Sequence, residues 1–388
     1  MKLRVAKFIS FILITMNFCV HSIAAPAGDQ EGFNLPVGQK EFKIMSYNLL
    51  NLFDELHDPD KLDHTFLPLN YPGKAINCQK LSSEYYRNEC LTTNWTAEKV
   101  KLKIKQIKKV VELQGSLPDL LSVQEIENAR VTQMLADELG YKKFVITNSP
   151  DKRGIDVALL FNEDKLEYID HFEYDVSDVT NKPTRNILRV HFRPKSGDYN
   201  QIIAVYVNHW PSQAAAPVIR EAVADKLRQI INRQVNKFGS ENYYVIVTGD
   251  FNTTESEAPN GFHHVIASPY WKNQLLDVQV LSKKSNNPMT WKMPPGTYWY
   301  HGDGVYNIFD RFFISRNLYS PEGVTVDPKS FRILGNEFNS VLHNYQNRKT
   351  QFFAQSQWVP KKFDFHLTSN ENQGFSDHYP IVVKFKMR

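Results

Sequence analysis

Cysteine is scarce, with three in 388 residues. That scarcity excludes a disulfide-built scaffold, and with no second cysteine pair it argues against a cysteine zinc site. Beyond the N-terminus no apolar stretch is long enough to cross a bilayer, so stable membrane insertion is not expected. Charge of one sign is missing too. Lys and Arg number 46 against 42 Asp and Glu, a formal net charge of +4, which gives no sign of a strongly basic nucleic-acid-coating protein. Internal repeats and low-complexity tracts are absent. Hydrophobic residues at 42% and charged residues at 23% are ordinary globular values, which excludes a disordered chain.

What is present starts at the N-terminus. Met1 to Lys7 carries only positive charge, Phe8 to Val20 is nearly all apolar, and Ser22-Ile23-Ala24-Ala25-Pro26-Ala27 supplies small residues. This is the layout of a secretory signal peptide, assigned to residues 1–25 with cleavage near Ala24 or Ala27. A lipoprotein reading fails because Phe18 and Val20 flank Cys19. Loss of the leader removes Lys2, Arg4, Lys7 and Cys19, so the net charge falls to about +1. Cys78 and Cys90 remain, and in an exported chain they are expected to form one disulfide closing a surface loop. The protein is thus expected outside the cytoplasm, extracellular or periplasmic.

Residues 40–388 read as a single domain, since no linker divides them. Two strand–helix–strand units stand out. The first runs from Phe42 to Tyr47, through a helix over Thr96 to Leu113, into a strand from Asp119 to Gln124. Val100, Ile104, Ile107 and Val111 give that helix an apolar stripe, and its lysines are expected on a solvated face. The second runs from Ile202 to Asn208, through a helix over Pro217 to Lys237, into Tyr243 to Thr248. Such crossovers make neighbouring strands parallel, so their ends share an edge. Further strands are expected at Asp156 to Phe161, Ile187 to Phe192, Phe309 to Ser315 and Tyr379 to Phe385.

Polar residues recur where these strands end. Asn48 follows the first, Glu125 the second, His209 the third, and Gly249-Asp250-Phe251-Asn252 the fourth. Ends of parallel strands are where α/β proteins place ligand sites. Asp310 and Ser376-Asp377-His378 precede strands instead, and meet the others only if those strands run antiparallel. Glu125, Asp377, Asp250, Asn48 and Asn252 are hard oxygen donors suited to Mg²⁺, Mn²⁺ or Ca²⁺. Two histidines add acid–base capacity, and Arg185 can fork onto a phosphate. Together these groups describe phosphoester hydrolysis by an activated water. Singly each is better read as a turn or a solvated strand end.

The order of Tyr47-Asn48, Gln124-Glu125, Asn208-His209-Trp210-Pro211-Ser212, Gly249-Asp250-Phe251-Asn252, Asp310-Arg311 and Ser376-Asp377-His378-Tyr379-Pro380 resembles the endonuclease/exonuclease/phosphatase superfamily. It is most similar to deoxyribonuclease-I-like proteins and bacterial extracellular nucleases, over residues 42 to 386. The resemblance implies an α/β four-layer sandwich, two packed mixed β-sheets flanked by helices. It implies that Glu125 holds a divalent cation, Mg²⁺ with Mn²⁺ or Ca²⁺ as alternatives, with Asn48 and Asp377 close by. Asp250 and Asn252 orient water and phosphate, and His378, oriented by Asp310, is the general base. His209 is the second acid–base histidine, Asp156 its candidate carboxylate partner, and Arg185 the phosphate-contacting arginine. Asn51 is equally compatible with a supporting and a purely structural role.

One departure stands out. Ile126-Glu127-Asn128 occupies the place where deoxyribonuclease-type enzymes carry a basic residue, which argues against a copy of their contact with duplex DNA. The aromatic run Tyr298-Trp299-Tyr300, with Tyr306, is read as loop packing ahead of base stacking. The function expected is an exported, metal-dependent nuclease acting on DNA, with RNA open, and no protein partner is implied. A sphingomyelinase-like phospholipid phosphodiesterase is the alternative, with the Met289 to Trp299 loop as its only candidate membrane contact. A catalytically inactive binding protein on the same fold is disfavoured, because every expected position is filled.

Overall fold

The computed structural model describes residues 40–195, 200–346, 354–367 and 372–387; the signal-peptide assignment lies outside them. Sixteen strands follow in chain order: β1 (Lys40–Leu52), β2 (Leu120–Ile126), β3 (Lys143–Ile146), β4 (Asp156–Phe161), β5 (Leu166–Tyr174), β6 (Ile187–Pro194), β7 (Ile202–His209) and β8 (Tyr243–Asp250), then β9 (Leu276–Asp277), β10 (Tyr298–Tyr300), β11 (Val305–Asn307), β12 (Asp310–Ile314), β13 (Val324–Ile333), β14 (Ser340–Gln346), β15 (Ala354–Pro360) and β16 (Ile381–Met387). The helices are α1 (Lys74–Gln79), α2 (Glu84–Thr92), α3 (Ala97–Val111), α4 (Ala129–Leu139), the short α5 (Ser177–Thr180), α6 (Pro217–Phe238) and α7 (Val278–Lys284).

Two six-stranded sheets form the centre, ordered β13-β16-β1-β2-β4-β3 and β5-β6-β7-β8-β12-β9. Both are mixed. The crossovers make β1/β2 and β7/β8 parallel, while β16 runs antiparallel to β1 and β12 antiparallel to β8. Strand side chains alternate with period two, and the burial follows that alternation. Phe42 and Ile44 of β1, Val205 and Val207 of β7, Ile246 of β8 and Phe312 of β12 point into one core between the sheets. Met45, Tyr47, Leu121 and Val123 face outward against Val100, Ile104 and Ile107 of α3 and Leu135 of α4. Tyr206, Val245 and Val247 face outward against Val223, Leu227 and Ile230 of α6. The result is the expected four layers: helix, sheet, sheet, helix.

The lysines of α3 depart from expectation. Lys103 is fully buried and Lys99 and Gln106 nearly so. Lys99 donates to the carbonyls of Phe365 and Leu367, Lys103 to that of Leu50 at 2.6 Å, and Gln106 to those of Gln373 and Gly374. Lys103 also lies 4.5 Å from the ring centre of Phe363. This face is buried because residues 363–367 and 373–374 lie over it with carbonyls turned toward the helix, and buried carbonyls need donors. The disulfide Cys78–Cys90 is formed and joins α1 to α2.

Candidate active site

The same alternation that builds the central core delivers the site. Asp250 is in phase with Ile246, His209 with Val205 and Val207, Asp310 with Phe312, and Asn48 with Ile44. All four therefore leave their strands on the inner face, at the edge where β1, β2, β7 and β8 end and β12 and β16 begin. Glu125 is out of phase and is recovered by backbone geometry. It adopts φ +61°, at a register shift between β2 and β4. Leu50 and Asn51, at the matching irregularity of β1, are also left-handed, with φ 55° and 58°. Non-glycine residues in this region cost energy and collect at functional sites. Here the strain brings the Asn51 amide N–H to Glu125 Oε2 at 3.0 Å.

Asp250 is the hub. Its Oδ2 accepts from Asn48 Nδ2 at 3.0 Å and lies 3.7 Å from His209 Nε2 and 3.9 Å from His378 Nε2. Its Oδ1 accepts the Asn252 amide at 2.8 Å. Glu125 Oε1 lies 3.3 Å from Asn48 Nδ2 and 3.8 Å from His209 Nε2. Asn48 thus ties the first sheet to the second, and Ser376 Oγ donates to its carbonyl at 2.7 Å. Gly249 is required by this closeness: its φ is +131°, and a Cβ there would stand 1.9 Å from the Asn208 carbonyl oxygen.

The two histidines differ in their protonation. Burial opposes charge on His378, but Asp310 Oδ2 at 2.7 Å from its Nδ1, with Asp250 and Asp377 beyond, overrides it and pushes the imidazole up to about 10. Burial also opposes charge on His209, and Arg185, Arg153 and His378 add to it, so His209 is held well below the usual range. Its Nδ1 is buried and has no hydrogen-bond partner among the described residues. Asp250 is pushed up to about 7, chiefly by burial, with Asp310 and Glu125 raising it and His378 opposing.

Of the residues expected at the site, Asn48, Glu125, His209, Asp250, Asn252, Asp310 and His378 are brought together. Asp377 is half-buried beside His378, and its charge reaches Lys103, Tyr47 and Tyr298. Asp156 does not partner His209: its Oδ1 accepts from the Thr147 hydroxyl at 2.5 Å and the Ser149 amide at 2.8 Å, so it ties a neighbouring loop. Arg185 is held within the protein by Asp151 at 3.4 Å, Thr184 at 3.0 Å and the Trp210 carbonyl at 2.5 Å. Its charge acts on His209 and Glu125 from that position. The Asn252 side-chain Nδ2 donates to the Trp210 carbonyl at 3.1 Å. Glu127 is turned inward and accepts the Asp54 amide at 2.8 Å, so it is not an acid facing a groove.

Two contributors were not singled out by sequence, and Ser376 was named only within its motif, with no role of its own. Ser376 anchors Asn48, Arg153 adds to the field on His209, and Lys103 holds the Leu50 carbonyl of the strained β1 turn. The 99, 103, 106 spacing of polar residues on one side of α3 was the available signal for the last. Trp210 is core, packed on Phe251 and Phe262, and Trp299 is buried against Tyr306 and Tyr345. Tyr298 stacks on Phe309 and sits 4.9 Å from the His378 ring.

The donor set fits a hard divalent cation. Glu125, Asp250, Asp310 and Asp377 converge on one edge, and burial with mutual repulsion already drives Asp250 upward. A cation held by the oxygens of Glu125 and Asp377 would relieve that repulsion, while Asn48 turns its Nδ2 to Glu125 and Asp250 and its oxygen to the Leu50 amide.

No curated protein matches this chain in sequence. Among solved structures, the human nocturnin catalytic domain with bound sulfate is 14% identical over 90% of this chain and 95% of its own, TM-score 0.47. TDP2 from D. rerio, complexed with single strand DNA product, is 14% identical over 89% of this chain and 99% of its own, TM-score 0.48. An endonuclease/exonuclease/phosphatase family protein from Bacteroides thetaiotaomicron is 13% identical over 90% and 99%, TM-score 0.48. The profile of the endonuclease/exonuclease/phosphatase family matches residues 43–387, and with nearly the whole described domain inside that match, the chain belongs to this family.

Proposed function

We propose that the protein is an exported, divalent-metal-dependent nuclease that hydrolyses phosphodiester bonds of DNA, with RNA as a further substrate. Family members are generally metal-dependent hydrolases of phosphodiesters, and one observation carries the reading for this chain. A single buried carboxylate, Asp250, stands within 4 Å of two histidines of opposite protonation. That is what an in-line hydrolysis needs: one group to take a proton from water and another to meet the phosphate's charge.

In this reading Asp250, raised to about 7, takes the proton of the attacking water, and the Asn252 amide fixes its carboxylate. His378 keeps its proton because Asp310 stands behind it, so it binds the non-bridging phosphate oxygen or protonates the leaving group. This departs from the general-base role that family resemblance implies for His378. His209 is neutral and donates one hydrogen bond to the phosphate. Glu125 and Asp377 would hold Mg²⁺, Mn²⁺ or Ca²⁺, which when bound neutralises phosphate charge, and Asn48 would join them by turning its oxygen inward. Arg185 acts through its field on His209 and Glu125.

The test is supercoiled plasmid with purified protein and Mg²⁺, beside an EDTA control and Asp250→Ala. Metal-dependent nicking that disappears in the variant supports the reading. Absence of cleavage of plasmid, single-stranded DNA and RNA with Mg²⁺, Mn²⁺ and Ca²⁺ refutes it. One observation favours a second reading, phospholipid phosphodiester hydrolysis. Trp291, in the Met289 to Trp299 loop, is 93% exposed, as a membrane-touching side chain would be. Sphingomyelin vesicles are the substrate that decides it.

A further inference from the structure

The loop that leaves β1, from Phe53 to Leu67, gathers a second set of ligating atoms. Asp63 is 1% exposed, and its Oδ2 accepts the Asp58 amide at 2.7 Å, so backbone geometry fixes where Oδ1 points. His57 Nδ1 lies 2.5 Å from that Oδ1 and His64 Nδ1 3.9 Å from it. The two rings are 4.6 Å apart, and one ligand atom from each of the three residues falls within a span of 4.8 Å. His57 and His64 keep 28% and 15% of their side chains exposed, which leaves an approach from solvent.

An independent observation points the same way. Glu127, 2% exposed, has a carboxylate oxygen, Oε1, with no hydrogen-bond partner among the described residues. Its other oxygen shares one donor with two more carboxylates: Asn128 Nδ2 donates to Glu127 Oε2 at 3.3 Å and to Asp54 Oδ2 and Asp58 Oδ2 at 3.1 Å. Among the described residues Arg130 answers Asp54 and Glu55, but no lysine or arginine ion pair reaches Asp58, Asp63 or Glu127. A buried carboxylate surplus of this kind is normally paired or ligates a metal.

We propose that His57, Asp63 and His64 form a metal site separate from the Glu125 centre, taking a borderline divalent ion of the zinc class. Two imidazole nitrogens and one carboxylate oxygen match that ion, whereas the all-oxygen set around Glu125 matches a hard one. A water completes four-coordination from the solvent side. In the ion-free protein His57 and Asp63 share a hydrogen bond, and the ion takes the place of its proton. The site is structural. It pins a loop whose Leu62 amide bonds the Lys152 carbonyl and whose Lys61 bonds the Ser149 and Asp151 carbonyls. That neighbouring loop supplies Asp151 and Arg153, which hold and reinforce Arg185 behind His209.

The test uses the full chain stripped with EDTA and titrated with Co²⁺, read by its visible absorption, then with Zn²⁺ in competition. One equivalent of Co²⁺ with an intense four-coordinate band, displaced by Zn²⁺, is expected in wild type. The same result is expected in Glu125→Gln, which separates this site from the catalytic one. It is also expected in His343→Ala, which removes the His301–His343 pair, 3.4 Å apart, as a competing binder. His64→Ala should weaken Co²⁺ binding by more than about 100-fold and abolish any rise in Tm with Zn²⁺. His64 makes the 3.9 Å approach to Asp63 and the ring contact with His57 but no hydrogen bond to either, so this variant is expected to fold, and circular dichroism in EDTA checks it. Should it not fold, His57→Gln, assessed the same way, takes its place. No band in wild type, or undiminished binding in a folded His64→Ala, overturns the proposal.

Discussion

His378 and His209 flank the same carboxylate at nearly the same distance, 3.9 and 3.7 Å, and differ at the far nitrogen. Behind His378 stands Asp310, fixed in turn by the Thr297 hydroxyl, which accepts the Phe309 and Asp310 amides at 3.1 Å. Behind His209 there is no acceptor among the described residues, only the positive field of Arg185 and Arg153. One imidazole is therefore held charged and the other neutral by residues that do not touch the scissile bond. The difference teaches that acid–base identity here is set one shell out, where sequence motifs are weakest.

The comparison breaks most completely if its shared element is removed. Asp250→Asn should lower kcat by about 10³-fold or more at every pH; a variant keeping a tenth of wild-type activity would mean that Asp250 does not serve both histidines. Next in size is Asp310→Asn. A histidine whose folded value is raised gives stability that is fully present below 6.5 and lost as pH rises through about 10. In EDTA the variant should be about 3 kcal/mol less stable at pH 6, with the gap closing toward pH 10. A gap that widens with pH would contradict a charged His378.

Arg185→Gln sharpens the other half. Without that charge the His209 pKa should rise toward its ordinary value, seen by NMR titration of the imidazole, while His378 moves little. If His209 does not move, burial with the charges of Arg153 and His378 holds it down without Arg185. The smallest effect is expected for Tyr298→Leu, which removes only the ring beside His378 and should lower kcat by less than about tenfold, since it takes no proton itself. A larger loss would make Tyr298 a substrate contact.

Much of this was legible in the chain. The two crossover units and the polar strand ends follow from apolar alternation, whereas the antiparallel course of β12 and β16 entered only as the condition for their residues to join the site, and the mixed sheets as what the family resemblance implies. Several parts were not. β5 and β13–β15 mix exposed and buried positions, so no clean period marks them. Lys99 and Lys103 read as solvent-facing because their acceptors are backbone carbonyls more than 250 residues away for one and in a strained turn for the other. Asp156 was matched to His209 by position in a motif order, whereas the side chain turns to Thr147 and Ser149 across a local loop. The left-handed turn at Glu125 leaves no trace in composition, since glutamate rarely adopts it.

The buried polar stripe of α3 carries one more consequence. Lys99 and Gln106 grip carbonyls between residues 365 and 374, and a few residues later the chain presents Ser376 and His378. Lys103, between them, grips the turn that presents Asn51 to Glu125. Fraying of this single outer helix would thus uncouple two sides of the site at once, well before the central core is exposed to solvent. Inactivation on mild heating or in low denaturant should then run ahead of global melting, and amide exchange along α3 would mark where it starts.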